Sequence, residues 1–124
     1  MKKSLLILLF LKVSLLSDSL FITDSEYSAQ LYKNPRGIGC FHCHGDNGEG
    51  KLIAKYIHKS KDREFVAPAI NHLDRETFIK AMKENRKGMP RYFLTDNEIE
   101  KLYFHVNPKK KLLEEVRDDL NSTD

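Results

Sequence analysis

The chain has 124 residues, 40% of them hydrophobic and 31% charged, which is enough for one small domain and too few for two. Its 21 basic and 18 acidic residues give a formal net charge of +3, which is too mild for a dedicated nucleic-acid binder. Only two cysteines are present, so a scaffold held by several disulfides is excluded.

The N-terminal segment has the pattern of a bacterial secretory signal peptide. Lys2 and Lys3 form a basic start, and residues 5–16 are nearly all aliphatic. A membrane-spanning helix needs about 20 apolar residues, whereas Lys12 and Asp18 interrupt this stretch. The sequence therefore predicts cleavage and export to the periplasm, with membrane contact only if the segment is uncleaved.

These patterns divide the chain into three parts. Residues 1–19 are the predicted signal peptide, residues 20–108 form the domain, and residues 109–124 form a C-terminal helical extension. Beyond residue 19 the chain carries 18 basic and 17 acidic residues and is almost neutral. Because about 100 residues gain only marginal stability from burial alone, we expect something besides ordinary side chains to complete the core.

Three helices are predicted within the domain. The first spans Glu26–Lys33, and the second spans Arg75–Arg86, with Asp74 as its N-cap and Gly88 closing it. A capping box over Thr95–Glu98 opens the third. The apolar stripe of the third helix consists of Ile99, Leu102, Tyr103 and Val106. With no alternating strand pattern of useful length and no internal repeat, the predicted fold class is all-α.

The C-terminal extension is predicted to be an amphipathic helix over Lys109–Asp124. Its lysines come first and its acidic residues last, an order that opposes the helix dipole and makes the helix weak alone. It is either a partly docked or frayed extension, or a helix that docks on a partner or a membrane surface. Its apolar side consists of Leu112, Leu113, Val116 and Leu120.

The most informative motif is a C-x-x-C-H sequence at residues 40–44. On one turn of a helix, Cys40 and Cys43 face the same way, so both thiols can reach the two vinyl groups of one haem. His44 can then ligate the iron from below the macrocycle. Two thioethers would also account for both cysteines of the chain.

Two other chemistries use paired cysteines. A zinc site needs four ligands, and the remaining histidines outside the motif, His58, His72 and His105, stand far apart in the sequence. A thioredoxin-like motif needs a βαβ setting, which the predicted elements do not provide. Covalent haem attachment is therefore the predicted chemistry, with one haem c as the cofactor.

Further motifs follow in the order and spacing of a known family. After the attachment motif come the turn at residues 48–50, the segment Ala67–Ile70, the loop Gly88–Pro90 and the capping box at Thr95. Over about residues 27–106 the chain resembles the class I monohaem cytochromes c of bacteria. The resemblance implies a small all-α cytochrome c fold of three to four helices around one covalently bound haem. It also implies that the first and last of these helices cross, with residues 27–32 packed on Leu102 and Tyr103.

The resemblance further implies His44 as the proximal iron ligand and Met89 as the distal one. Met/His pairs are typical of electron-transfer haem, and Met89 lies in a loop between two predicted helices, where it can be aimed across a pocket. Met82 is the rival thioether, although its place on a helical apolar face suits core packing better. His72 and His105 are further alternatives.

A supporting role is implied for Pro68. In related proteins a backbone carbonyl in this stretch accepts a hydrogen bond from Nδ1–H of the proximal histidine, which fixes the tautomer of that histidine. Alternatively, Pro68 only stiffens a loop. Several apolar residues are candidates for the pocket wall: Ile53, Phe65, Ile70, Phe78, Ile79, Tyr92 and Phe93.

These inferences predict a periplasmic carrier of one electron and not an enzyme, since no candidate catalytic base stands beside an open coordination position. Its partners would be redox proteins such as a respiratory reductase, oxidase or peroxidase, and not nucleic acid. Arg86, Lys87 and Arg91 flank the ligand loop and are expected to ring that side of the haem. Two alternatives are a haem subunit of a larger respiratory complex and a haem-based sensor of small ligands.

Overall fold

The computed structural model describes residues 21–84 and 86–122, and the predicted signal peptide lies outside this range. The three helices predicted within the domain are present as α1, α3 and α4. In chain order the elements are α1 (Asp24–Lys33), α2 (Phe41–His44), β1 (Lys51–His58), β2 (Lys61–Ala67), α3 (Arg75–Lys83), α4 (Asp96–Val106) and α5 (Pro108–Asn121).

Helices α1 and α4 begin with the same capping arrangement. At α4 the Thr95 hydroxyl accepts a hydrogen bond from the Glu98 backbone N–H at 3.3 Å, and the Glu98 carboxylate accepts one from the Thr95 N–H at 2.8 Å. This confirms the predicted capping box. Thr23 and Glu26 form a second box, so α1 begins at Asp24, two residues before its predicted start.

The core lies where α1 crosses α4. Leu31 and Tyr32 of α1 share one buried cluster with Leu102 and Tyr103 of α4, and Leu102 is only 1% exposed. The implied packing of the first helix on the last is therefore confirmed. Ile99, Val106, Phe78 and Cys40 complete the buried cluster.

Helix α3 is shorter than predicted. Its N-cap is confirmed, because the Asp74 carboxylate accepts a hydrogen bond from the Thr77 N–H at 2.8 Å. The helix ends at Lys83 because the backbone of Glu84 is extended, with φ −83° and ψ 150°. Gly88 therefore does not close the helix; it lies in the following loop with φ +86°.

The predicted helical fold is confirmed, but it is not strictly all-α, because β1 and β2 form an antiparallel hairpin. Its turn residues, Lys59 and Ser60, have φ values of 52° and 59°, although neither is the Gly or Asn that usually marks such a turn. All hairpin residues except Ala67 are exposed, so burial imposes no alternation of apolar and polar residues. A register shift between Leu52 and Ala54 disturbs the alternation further.

The C-terminal helix is attached to the domain through its first turn. The buried Asn107 side chain donates to the Tyr103 carbonyl at 3.1 Å, and the Lys110 ammonium donates to the Leu73 carbonyl at 2.6 Å. The predicted apolar side faces solvent, with Leu112, Leu113, Val116 and Leu120 between 57% and 71% exposed. In the part of the chain that the structure describes, no helix is long and apolar enough to cross a membrane.

Candidate haem site

The attachment motif occupies one helical turn at the edge of the core. The Cys43 and His44 N–H groups donate to the Cys40 carbonyl at 3.2 and 2.8 Å, which sets Cys40, Cys43 and His44 on the same turn. The two thiols are not joined in a disulfide, and both line one cavity together with His44. Burial raises the pKa of the Cys40 thiol to about 11.

A close approach of two backbones places this turn against α1. The Cys40 N–H donates to the Tyr32 carbonyl at 2.9 Å. A Cβ on Gly39 would lie 2.3 Å from the Lys33 carbonyl oxygen, which no side chain could tolerate. Glycine at position 39 therefore lets the chain pass α1 closely enough to aim both thiols into the cavity.

The cavity has a volume of about 380 Å³ and a mostly apolar lining. Its walls come from the attachment motif, the end of β2, residues 67–70, α3 and the loop at residues 86–92. Of the seven apolar wall candidates, four line it: Phe65, Ile70, Phe78 and Tyr92. Ile53, Ile79 and Phe93 are not part of the lining. The size and lining suit a largely apolar cofactor.

The His44 ring is held by the backbone of the opposite segment. Its Nδ1–H donates to the Pro68 carbonyl oxygen at 2.8 Å, which leaves Nε2 for an iron ligand. This is the hydrogen bond that the family resemblance implies.

Gly50 joins the two segments that make this bond. Its N–H donates to the His44 carbonyl at 2.7 Å. A Cβ there would lie 2.9 Å from the Ala67 carbonyl and 2.8 Å from the Ala69 nitrogen, and its φ is +87°. Only glycine allows so close a contact in that conformation, so Gly50 helps to place the Pro68 carbonyl opposite His44.

Two thioethers line the cavity, and their surroundings differ. Met82, on α3, also packs against the buried core cluster, whereas Met89 lines the cavity from the loop and does not belong to that packing. His72 and His105 do not line the cavity. The His105 ring instead lies against Tyr32, with the ring centroids 4.9 Å apart.

The start of the Met89 loop is shaped by the hairpin. A Cβ on Gly88 would lie 2.9 Å from the Phe65 ring, and its φ is +86°. The positive φ favours glycine at residue 88, and the Phe65 ring lies close beside it. The sequence offered no signal for this contact, because the strand that carries Phe65 was not predicted.

Two of the three basic residues that were expected around the Met89 loop line the cavity. Arg86 and Lys87 line the cavity and are exposed, while the Arg91 guanidinium lies over the Phe93 ring, 5.5 Å from its centroid, outside the lining. Arg86 also pairs with Glu84 at 3.2 Å.

An ion pair that the sequence did not reveal joins the loop before Cys40 to helix α4. The Arg36 guanidinium donates to both carboxylate oxygens of Glu98, at 2.7 and 2.8 Å, and the Tyr27 hydroxyl donates to the same carboxylate at 2.9 Å. The Glu98 side chain is only 11% exposed. These donors, Arg36 first, hold the pKa of Glu98 well below its usual range.

We expect Glu98→Gln to destabilise the protein at pH 7 by about 1.5–3 kcal/mol, the usual value of a hydrogen bond to a charged group. Because the folded-state pKa is depressed, this stabilisation is present above the unfolded pKa of about 4.3 and is lost as pH falls further. Denaturant unfolding at pH 7 and pH 3 should therefore show a difference between wild type and variant that shrinks in acid.

The matched control is Glu64→Gln on the hairpin. Glu64 pairs with Lys55 at 3.1 Å, but both side chains are more than half exposed, so we expect a cost of about 0–1 kcal/mol. A Glu98→Gln cost that is the same at both pH values would contradict this account of the pair.

The fold and the cavity together define a c-type cytochrome. Helices α1 and α4 cross beside a cavity whose wall carries the C-x-x-C-H turn. The family model for cytochrome c matches residues 25–107, and the chain therefore belongs to the cytochrome c family. Its cofactor is a covalently bound haem c with iron, and its activity is haem-based electron transfer. No curated protein and no solved structure matches the chain significantly.

Proposed function

We propose that this protein is a class I monohaem electron carrier of the periplasm, with His44 and Met89 as axial ligands. The observation that carries the proposal is the His44–Pro68 hydrogen bond of 2.8 Å at the wall of a cavity that Met89 also lines. That bond frees Nε2 for iron, and the Met89 loop supplies a neutral sulfur ligand. The predicted signal peptide supports export.

The residues present fit haem c. Cys40 and Cys43 would hold it covalently, and the apolar wall would exclude water from it. When bound, haem c supplies a one-electron iron couple. The Pro68 carbonyl fixes the tautomer of His44 and raises its basicity, while the thioether of Met89 favours the reduced state.

A carbon monoxide titration of the reduced holoprotein tests this function. With Met89 on the iron we expect no binding at concentrations that saturate an open haem. A sensor of small ligands would need a weak or absent distal bond and would bind the gas. Ready binding would therefore overturn the carrier proposal and support the sensor.

We further propose that redox partners dock at the cavity mouth near Arg86 and Lys87. Exposed charges at the rim of an interface raise the association rate of two proteins more than they raise the affinity of the complex. Charge reversal of Arg86, Lys87 and Arg91 together should slow electron transfer to an acidic redox protein several-fold at low salt. Stopped-flow rates should converge with wild type as added salt shortens the Debye length below roughly 10 Å.

The control for this prediction reverses the three lysines at residues 109–111 at the start of α5. Under the proposal that variant keeps the wild-type rate. The reduction potential should barely move in either variant, and measuring it separates slower docking from a changed driving force. If only the α5 variant slows transfer, partners dock on the C-terminal helix instead.

The exposed apolar side of α5 favours a second candidate function, a haem subunit of a larger respiratory complex. Leu112 and Leu113 are 62% and 71% exposed on a helix whose first turn is anchored to the domain. Removing residues 109–124 should then abolish co-purification with the complex and leave the haem spectrum unchanged. A truncated protein that still transfers electrons at the wild-type rate to a soluble partner would favour the free carrier.

A further inference from the structure

Two loops meet beside the cavity and exchange hydrogen bonds. We name residues 34–39, which precede Cys40, the lead-in loop, and residues 86–94, which contain Met89, the distal loop. The Tyr92 hydroxyl donates to the Ile38 carbonyl at 2.6 Å. In the other direction, the Arg36 guanidinium donates to the Phe93 carbonyl at 2.8 Å.

The lead-in loop is a fixed anchor for this exchange. Arg36 is held by both oxygens of the mostly buried Glu98 carboxylate, and Glu98 belongs to α4 in the core. The Arg36 backbone has φ +61°, a left-handed conformation that non-glycine residues rarely adopt. Such a conformation persists where surrounding contacts over-determine it. At its other end the loop runs directly into Cys40.

Tyr92 is placed to hold the distal loop against this anchor. Its ring lines the cavity and lies against Gly37, where an added Cβ would be 3.7 Å from the ring edge. Burial raises the pKa of Tyr92 to about 12, so its hydroxyl keeps its proton and remains a donor at neutral pH. Tyr92 follows Met89 by three residues, so the bond to Ile38 restrains the segment that carries the thioether.

We propose that Tyr92 is a positioning residue for Met89, acting through its hydrogen bond to the Ile38 carbonyl. Because Cys40 attaches the lead-in loop to the haem, a distal loop fastened to the lead-in loop keeps the Met89 sulfur at the iron. The bond thereby disfavours release of Met89 and replacement by an outside ligand. The inference rests on the proposed function, since it requires Met89 to be the distal ligand.

The test is an imidazole titration of the ferric holoprotein, followed by loss of the near-infrared sulfur-to-iron band. Tyr92→Phe removes the hydroxyl and keeps the ring. Loss of one net hydrogen bond corresponds to about a threefold to tenfold change in an equilibrium constant, so the apparent affinity for imidazole should rise by that factor. The matched control is Tyr56→Phe on the hairpin, a tyrosine that is 50% exposed, and it should titrate as wild type does.

The outcomes separate this inference from the function on which it rests. If Met89→Ala retains the band, the proposed ligation fails whatever Tyr92 does. If the band depends on Met89 and Tyr92→Phe binds imidazole as wild type does, the positioning role is overturned, even where the melting temperature falls. Should Tyr92→Phe fail to fold, Tyr92→Leu takes its place, because leucine fills part of the same space and has no hydroxyl to donate to the Ile38 carbonyl. An unchanged affinity for imidazole in Tyr92→Leu would then overturn the positioning role.

Discussion

Replacing both attachment cysteines, Cys40→Ala with Cys43→Ala, should yield a poorly folded and colourless protein. The residues around the cavity include core members such as Leu102 and Phe78, so bound haem would complete the core. Without haem the apolar wall of the cavity would face water, and a domain of this size gains only marginal stability from the rest of its core.

Haem content by mass and folding by circular dichroism measure this effect. Denatured wild type should stay coloured and carry the mass of about one haem, because thioethers survive unfolding. His72→Ala is the control, since His72 is outside the cavity lining, and it should keep full haem content. Colour that extracts from wild type into acid-acetone would refute covalent attachment.

Met89→Ala should abolish the near-infrared sulfur-to-iron band of the oxidised protein, whereas Met82→Ala should keep the band and lower the stability instead. The physical reason is the difference in packing: Met82 contacts the core cluster, and Met89 lines the cavity from a loop. The comparison is internally matched, because both variants remove one thioether from the same cavity. Loss of the band in Met82→Ala alone would reverse the ligand assignment.

Met89→His extends the same experiment to the reduction potential. Imidazole stabilises ferric iron better than a thioether does, so the potential should fall, within the range of about 0.8 V that axial ligands span among haem proteins. A redox titration of variant and wild type measures the shift. An unchanged potential would mean that residue 89 does not reach the iron.

The attachment motif and the helix starts could be predicted from the sequence because they depend on local spacing. Cys43 lies three positions after Cys40, which is close to one helical turn, and the turn is present. The same holds for the capping box at Thr95 and the N-cap at Asp74, whose side chains bind backbone groups three residues away. Local chemistry fixes such features wherever the segment folds.

The hairpin shows where this reasoning fails. A helix or strand shows a periodic pattern in the sequence when one of its faces is buried and the other is exposed to solvent. Strand β1 has no buried residue along its whole length, and its turn at Lys59 and Ser60 lacks the usual glycine. The sequence therefore shows no periodicity that indicates strands. Without the strands, the contact of Phe65 on β2 with Gly88 could not be predicted either.

What the sequence by itself determined is the covalent chemistry of this protein and the order of its helices. The tertiary structure decided which distant groups meet: His44 with the Pro68 carbonyl, Arg36 with Glu98, and Tyr92 with the Ile38 carbonyl. The partners of the last two pairs lie 62 and 54 positions apart in the sequence. Such contacts produce no periodic pattern in the sequence. They depend on how α1 and α4 cross and on how closely glycines allow two loops to approach each other. Attachment is thus a local property of this chain, while the position of the Met89 loop depends on the whole fold.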